Sequence, residues 1–491
     1  MLLHSLIKQL SQDDFLAFTH FLARRNRRSD TKNIRLAHLL REDPLPDRPD
    51  LIIYKKQARN AYHALCKRLF DALIDFTAAR SFETESSQEL DVFKYLLAAR
   101  IFYENQQDLA ARKVLLRAQQ MAQEIDLYSG LSEIYHTKIQ YAHRHSDLEL
   151  AQCIKDFNNN KAQHHKEEQL NMAYATLKQR LSNGDHFSQP LDRLIRDVFE
   201  RYQISIDQSL SFKALFQLLE IINTLAHQSH DFYGALPLIA QIEDVIHSRV
   251  THSSKHLYYR IHILYFLANA YFRSRQFSQS EVYIDRLQDA IALENGRYYK
   301  RFRESALLLK ALHLNYTGQG LKAITLLENH SAQKLPLTPD LTLALGVFYV
   351  QQHQCKQALG VLRLLQHSPK WYLKKEGVDW LIKKELITLI IHLELEHIDL
   401  VESLLRSFKR NYTAHIAQES RLKIFLDLFT SLFQSPQIID DTRFRESVRL
   451  QFQSFQKTQV DLFLLSFYSW LVAKTQKVSV YKTTMGLLQR D

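Results

Sequence analysis

Histidines are the residues in this sequence with the most versatile chemistry. The chain has 23 of them, and close groups occur at His143 and His145, at His164 and His165, and at His392 and His397. A zinc site needs ligands that converge tetrahedrally, usually with help from cysteine or carboxylate side chains. The sequence contains no HExxH motif, and two histidines five residues apart do not share one face of a helix. We therefore expect solvated or interhelical histidines and no metal site.

Carboxylates and nucleophiles do not form a recognisable catalytic pattern either. The acidic pairs Asp13-Asp14, Glu167-Glu168 and Asp440-Asp441 are adjacent in sequence, so on a helix their side chains point apart and cannot act jointly. The sequence lacks GxSxG, Walker and Cys/His nucleophile signatures. These observations predict a protein that is not an enzyme and has no cofactor. An enzyme with an unfamiliar site between helices is kept as a third function class.

A glycine-containing stretch, Gly318-Gln-Gly320-Leu-Lys-Ala323, has the letters of a dinucleotide-binding fingerprint. That motif needs a preceding β-strand, which aims the phosphate at the N-terminus of a helix. Here the stretch follows a predicted helix and lies before another one. We therefore expect a turn between two helices, and no nucleotide site.

Basic residues outnumber acidic ones and give the chain a net charge of +11. Such a balance can favour acidic partners, nucleic acid or anionic membrane surfaces. A nucleic-acid site would need a continuous basic stripe interleaved with exposed aromatic rings, and most aromatic residues here fall at core spacing. Nucleic-acid binding, or transcription regulation by a helical repeat protein, is the alternative function. The basic clusters are Arg24-Arg-Asn-Arg-Arg28, Lys55-Lys56 with Arg59, Lys300-Arg301 with Arg303, Lys374-Lys375 and Lys383-Lys384.

The elements that must position these residues are predicted to be helices. Only ten glycines and nine prolines occur among 491 residues, against averages of about 7% and 5%. A sheet protein of this length could hardly form its corners with so few of either. Apolar residues recur at spacings of three and four almost throughout, which is typical of helices with one buried stripe. The sequence therefore predicts an all-α fold.

Capping residues mark several of the predicted helix starts. Ser86, Ser146 and Ser278 each precede a glutamate by three residues, which is the pattern of a capping box. Thr338 and Ser368 each stand before a proline, and proline is well tolerated at the first position of a helix. We expect a helix to begin at each of these five places.

The first 84 residues differ in pattern from the rest. Short helices are predicted around Leu2–Leu10, Asp13–Arg25 and Lys32–Arg41, followed by a segment with three of the nine prolines. A long helix is then predicted from about Leu51 to Phe82. A stacked helical array needs a terminal unit that shields its outermost apolar face. We interpret residues 1–84 as an N-terminal helical cap of this kind.

Downstream of the cap, the chain contains a recurring helix pair. A small residue, an aromatic or large apolar residue, a second small residue and a large apolar residue occupy relative positions 0, 3, 12 and 16. Small residues on both helices allow their axes to approach closely. Four copies are clear: Ala99, Phe102, Ala111 and Leu115; Ala268, Tyr271, Ser280 and Ile284; Ala311, Leu314, Ala323 and Leu327; and Gly346, Tyr349, Ala358 and Leu362. Degenerate copies contain Asn223, Ala235 and Ile239, and then Leu389, Val401 and Leu405.

This pattern resembles the tetratricopeptide repeat, which has a nominal period of 34 residues. The resemblance implies an α-α superhelix, a tetratricopeptide-like solenoid over residues 85–473 with a C-terminal tail at 474–491. The second small positions, however, are 43, 35 and 43 residues apart from Ser280 to Val401, so many helices exceed the family length. The repeat phase between about residues 156 and 229 is open. A globular helical bundle is the alternative fold.

A looser resemblance concerns the N-terminal cap and residues 98–144. In general layout they are similar to uncharacterised helical-repeat proteins of Bacteroidetes-type bacteria. This likeness implies no activity.

The resemblance to tetratricopeptide arrays also implies a binding surface, because the first helix of each pair lines the concave face. An asparagine there can hold the backbone amide of a ligand, and Arg273 could meet a carboxylate. The alternative is that these side chains pack against the neighbouring repeat. The predicted groove residues are His262, Tyr265, Phe266, Asn269, Phe272 and Arg273, and the next copies place Leu308, Leu309, Leu312, Leu343, Ala344 and Val347 there. Since these later positions are apolar, the basic clamp of chaperone-tail binders is missing.

The expected location is the cytoplasm. The three cysteines, Cys66, Cys153 and Cys355, are odd in number and far apart, which suits a reducing compartment better than a disulfide framework. The N-terminus does not have the pattern of a secretory signal, and the most apolar segment, residues 462–473, is shorter than the ~20 residues that span a membrane. The predicted function is a non-catalytic protein–protein interaction scaffold that binds a peptide or helix and does not enter a membrane.

Overall fold

The regular structure of the chain is helical wherever it is described. The computed structural model describes residues 2–10, 12–25, 32–42, 46, 48–84, 88–145, 149–182, 191–207, 210–229, 232–247, 256–332, 337–456 and 462–488. These ranges contain 26 α-helices, two short 3-10 helices and no β-strand. The chain divides into two compact units, residues 1–161 and 162–491. The predicted all-α fold class is confirmed for the described residues, and the predicted limits of the cap, solenoid and tail stay predictions.

The first unit contains two hydrophobic cores, one within residues 7–76 and one within residues 92–157. Its helices are α1 (Leu2–Gln9), α2 (Gln12–Arg25), α3 (Lys32–Leu39), α4 (Pro49–Tyr54), α5 (Arg59–Thr84), α6 (Gln88–Glu104), α7 (Asp108–Glu124) and α8 (Tyr128–Gln140). A 3-10 helix, Ala142–Arg144, follows, and α9 (Leu150–Ser182) contains the boundary between the units. The three short N-terminal helices agree with prediction to within two residues.

The long helix predicted from Leu51 to Phe82 is wrong, because the chain breaks between α4 and α5. Lys55 adopts a left-handed backbone conformation with φ 54°, which ends α4. The Asp50 carboxylate accepts a hydrogen bond from the Ala58 backbone N–H at 3.3 Å and pairs with Arg48 at 3.2 Å. A side chain at the start of α4 thus fixes the turn before α5. Periodicity alone does not reveal a break of this kind.

The second unit is built around one continuous hydrophobic core. Its helices are α10 (Leu191–Arg201), α11 (Phe212–Ser229), α12 (Leu236–His247), α13 (Leu257–Arg273), α14 (Phe277–Gly296), α15 (Tyr299–Tyr316), α16 (Gly320–Ala332), α17 (Pro339–Gln351), α18 (Cys355–Leu362), α19 (Pro369–Lys375), α20 (Val378–Glu394), α21 (Ile398–Asn411), α22 (Thr413–Gln418), α23 (Ser420–Gln434), α24 (Thr442–Gln456), α25 (Leu462–Gln476) and α26 (Val480–Leu488). A 3-10 helix, Pro436–Asp440, lies between α23 and α24.

Neighbouring helices pack in pairs, as the recurring sequence pattern predicts. The closest pairs are α6 with α7 in the first unit and α13 with α14, α15 with α16 and α17 with α18 in the second. The small residues lie at these contacts: the Ser280 hydroxyl donates a hydrogen bond to the Ala268 carbonyl at 3.0 Å. A Cβ atom added at Gly346 would lie only 3.1 Å from Leu362. Close approach of the two helices therefore explains the small residues.

The same turn joins the two helices in these four pairs and also joins α20 to α21. In each turn a backbone N–H bonds to the carbonyl five residues earlier, and the residue before that N–H is left-handed. This is the Schellman arrangement, which satisfies carbonyls at the end of a helix. The donor and acceptor residues are Gln107 and Phe102, Gln276 and Tyr271, Gln319 and Leu314, Gln354 and Tyr349, and His397 and His392. In each case the acceptor residue stands at relative position 3 of the recurring sequence pattern, which is its aromatic or large apolar position.

The predicted caps are borne out only in part. Ser368 caps α19, since its side chain accepts a hydrogen bond from the Trp371 N–H at 3.3 Å. Thr338 precedes Pro339 at the start of α17, but its hydroxyl makes no capping bond. Ser278 is not a cap, because α14 already begins at Phe277 after the turn residue Gln276. Ser86 and Ser146 lie outside the described residues.

The C-terminal helices belong to the core of the second unit. Leu465, Trp470 and Leu471 of α25 are buried, and the Tyr481 hydroxyl of α26 accepts from the Gly320 N–H at 2.7 Å and donates to the Asn315 carbonyl at 2.8 Å. The predicted turn at Gly318 is confirmed. Among the described residues, no helix combines the length and the apolar character needed to cross a membrane.

Candidate functional site

A cavity of about 450 Å³ opens on the second unit between α11, α13, α15, α17 and α20. We call it the central pocket. Its apolar lining includes Leu308, Leu312, Leu343, Ala344, Val347 and Phe348, and its polar lining includes Asn223, Tyr265, Asn269, Arg273, Asp340, Glu376, Asp379 and Lys383. An apolar cavity with a few polar groups is the usual form of a ligand site in proteins.

The predicted groove residues separate into two groups in the structure. Tyr265, Asn269, Phe272 and Arg273 line the central pocket. Of the positions predicted in the next two pairs, five also line it and Leu309 does not; the five are Leu308, Leu312, Leu343, Ala344 and Val347. His262 and Phe266 lie outside the pocket lining, because both rings pack with Phe216 of α11.

Two asparagines form the polar centre of the pocket. Asn269 of α13 donates its side-chain N–H to the side-chain oxygen of Asn223 on α11 at 2.9 Å. Both side chains are half-buried and both line the cavity. An asparagine amide carries two donors and one acceptor oxygen with two lone pairs, so the bonded pair keeps donors and acceptors for a ligand. A peptide backbone has complementary groups.

Charged side chains of both signs border the pocket. The Trp380 indole N–H donates to Asp340 at 2.8 Å. The Asp340 side chain is accessible at the mouth, but the surrounding protein displaces much of its hydration, and this burial raises its pKa against the opposing effects of Trp380, Lys383 and Arg273. Burial and the Asp340 charge likewise raise the pKa of Glu376. A cationic group of a ligand would counteract the increase in pKa at Asp340 and at Glu376.

A buried hydrogen-bond network supports the pocket from below. The Tyr316 hydroxyl, at the pocket lining, lies 2.8 Å from the Ser466 hydroxyl of α25. The Gln351 amide donates to Ser466 at 3.0 Å and accepts from Asn315 at 2.8 Å. A buried hydrogen-bond network of this kind favours one arrangement of its members. It fixes α15, α17 and α25 relative to one another beneath the pocket.

The sequence did not indicate the acidic side of the pocket. Asp340 lies in the first turn of α17, and Glu376 follows α19. Asp379 and Trp380 lie in the first turn of α20. These residues therefore come from segments outside α13, where the groove was predicted. In the sequence, Lys383 stands out only as a member of the basic pair Lys383-Lys384. These residues come together in the pocket because helix pairs stack, and no residue spacing within one helix predicts that arrangement.

The histidine pair His392 and His397 is interhelical, which is one of the two expected outcomes. The two do not share a helix face, but the turn between α20 and α21 brings their Nδ1 atoms to 2.9 Å. One ring nitrogen therefore donates to the other. Within the described part of the chain, no group of three or more histidine, cysteine or acidic side chains could hold a metal ion, and all three cysteines are free thiols.

Comparisons with known proteins do not assign a family. The chain matches no protein-family model and no curated protein. The inference of function therefore rests on the geometry of the central pocket.

Proposed function

We propose that this protein is a non-catalytic, cytoplasmic interaction scaffold that binds a peptide or helix of a partner protein in the central pocket. The observation that carries the proposal is the Asn269–Asn223 pair above an apolar lining. A peptide presents backbone amides beside apolar side chains, so it matches both parts of the surface. The bordering charges add places for acidic and basic groups of the same segment.

The proposed binding mode assigns a role to each part of the pocket. An apolar side chain of the partner occupies the space between Leu312, Leu343 and Val347. The Asn269 amide bonds the partner backbone, and Arg273 pairs with a carboxylate through charge-assisted hydrogen bonds. A partner that binds as a helix would place its anchors at spacings of three and four residues.

We further propose that the helix pairs form a tetratricopeptide-like solenoid. Support comes from the buried small residues at each pair and from the five Schellman turns with the same register. The Tyr349 hydroxyl bonds Glu328 of the preceding second helix, and Tyr271 bonds Glu243 of its own preceding second helix in the same manner. Such a repeated contact between successive pairs is what a stacked array requires.

Nucleic acid does not fit the central pocket. Asp340, Glu376 and Asp379 lie beside its two cations, Arg273 and Lys383, and their charges would repel phosphates. The alternative function therefore has no support at this site.

A peptide selection tests the proposal. A random-peptide library displayed on phage would be enriched on the full-length protein, and the winning peptides measured by fluorescence anisotropy. Asn269→Ala removes hydrogen bonds worth about 1 kcal/mol, so affinity should fall roughly fivefold, and Leu312→Glu should abolish binding. Asn411→Ala on the exposed surface of α21 and Leu364→Glu in the exposed turn after α18 make the same changes away from the pocket and should bind as wild type. Failure to enrich any peptide, or equal binding by all variants, would refute the proposal.

A further inference from the structure

A row of aromatic rings lies beyond the central pocket, where α13 and α15 begin. Tyr258 contacts Tyr298 with ring centroids 5.6 Å apart and Tyr259 with centroids 5.4 Å apart. Tyr259 in turn lies 5.7 Å from Phe216 of α11. All four rings are partly accessible to solvent. The neighbouring Tyr299 is 53% exposed.

Cations interleave with these rings. The Arg301 guanidinium lies 5.0 Å from the ring centre of Tyr258, and that of Arg297 lies 5.4 Å from Tyr298. Lys300 stands between them in sequence and is exposed, as are both arginines. Glu294 pairs with Arg297 at 3.3 Å and offsets one of the three positive charges. The aromatic–basic surface, defined by Tyr258, Tyr298, Tyr299, Arg297, Lys300 and Arg301, thus keeps a positive charge.

Helix electrostatics do not favour the cations at the start of α15. Lys300 and Arg301 lie in the first turn of α15, where the helix dipole disfavours positive charge. In contrast, Arg24 and Arg25 end α2 and are favoured there by the same effect. Phe302 and Ala306 provide the buried contacts at the start of α15. A function in binding explains why exposed cations and an exposed tyrosine occupy the first turn of α15.

We propose that the aromatic–basic surface binds a single-stranded polynucleotide. The exposed Tyr299 ring stacks on a base, and Lys300 contacts phosphates together with the arginines that lie over Tyr258 and Tyr298. Proteins bind single strands in this way without reading their sequence. A duplex keeps its bases stacked internally and does not offer them to the rings. An acidic peptide would use the cations but not Tyr299. This site is separate from the central pocket and does not depend on peptide binding there.

Salt dependence tests the charge part of the proposal. Fluorescein-labelled oligouridylate and oligothymidylate 12-mers would be titrated with full-length protein at several salt concentrations. Three phosphate contacts predict a slope of log affinity against log salt of about −2 for a single strand. Lys300→Glu with Arg301→Glu should weaken binding at least tenfold and reduce the slope to about −0.7. The control, Lys322→Glu with Lys356→Glu, changes exposed first-turn lysines and net charge equally and should bind as wild type.

Replacement of the exposed ring tests the stacking part. Tyr299→Ala should weaken binding at least about fivefold, since a stacked base contributes of the order of 1 kcal/mol or more. Tyr299→Phe keeps the ring and should retain affinity, and Asn269→Ala in the central pocket should bind the oligonucleotide normally. Polyglutamate, which uses only the cations, should displace it much less effectively than unlabelled oligouridylate of equal charge. Absence of binding by both oligonucleotides, indifference to Tyr299→Ala, or equal displacement by polyglutamate and oligouridylate would overturn the proposal.

Discussion

His262 shows how a single residue takes its properties from its neighbours. Its ring centroid lies 4.6 Å from Phe302, 4.7 Å from Tyr258 and 4.8 Å from Phe216. Burial among these rings lowers the pKa of His262 to about 4, and the nearby Arg301 charge acts in the same direction. The imidazole is therefore a neutral packing group near pH 7, and the groove role predicted for it has no counterpart in the pocket lining.

This environment predicts a pH dependence of stability. Above the ordinary histidine pKa of 6.5, the folded and unfolded states both carry neutral His262. As pH falls towards 4, the unfolded chain gains a proton that the folded protein resists, so stability is lost. His262→Phe removes this contribution. Between pH 7 and pH 4.5 we expect the free energy of unfolding of the variant to fall by about 2 kcal/mol less than that of the wild type.

Urea unfolding at a series of pH values measures this difference. His165→Phe, the same change at an exposed position, should follow the wild-type profile. A His262→Phe profile parallel to wild type would show that the ring contacts do not suppress protonation.

At the scale of elements, the helix pair is the unit that the sequence encodes. Ala358 of α18 is completely buried against α17. Ala358→Glu would place a charge in this contact, and an uncompensated buried charge costs about 3 kcal/mol or more. We expect the variant to unfold at a clearly lower urea concentration or not to fold. Lys356→Glu, two residues earlier on the exposed side, should retain wild-type stability, and equal stability of both variants would mean that the pair contact is misassigned.

The recurring turn makes a second prediction for the elements. Gly318 has φ 92°, whereas the equivalent Arg275 is left-handed with φ 61°. A side chain in this region costs about 1 kcal/mol, so Gly318→Ala should lower the free energy of unfolding by about that much, and Arg275→Gly should leave it unchanged or raise it. Chemical denaturation measures both. Destabilisation by Arg275→Gly would indicate that the arginine side chain contributes more than its backbone strain costs.

The whole molecule shows which features local sequence can predict. Helices and their pairing follow from periodicity and from small residues such as Ala268 and Gly346, because both are local signals. The resemblance to tetratricopeptide arrays predicts Asn269 and Arg273 in one groove, and their spacing of four residues on α13 is local as well. Asp340 of the same pocket was missed, since it reaches the pocket only through the stacking of pairs.

Long-range packing was equally hidden from the sequence. Gly320 was assigned to a turn, but the reason for this glycine is Tyr481, whose ring atoms would lie 2.7 Å from an added Cβ. The two residues are 161 positions apart. The break at Lys55 was missed as well, because it depends on the Asp50 side chain reaching Ala58.

Occupation of the central pocket by a peptide is the claim on which the account of function depends. The chain has three tryptophans, of which Trp380 lines the pocket and Trp470 is fully buried elsewhere in the core. Fluorine NMR of protein labelled with 5-fluorotryptophan, with Trp371→Phe to assist assignment, would follow each ring as a selected peptide is added. We predict a saturable shift of the Trp380 resonance and an unchanged Trp470 resonance. A peptide that binds tightly and leaves Trp380 unmoved would contradict the account.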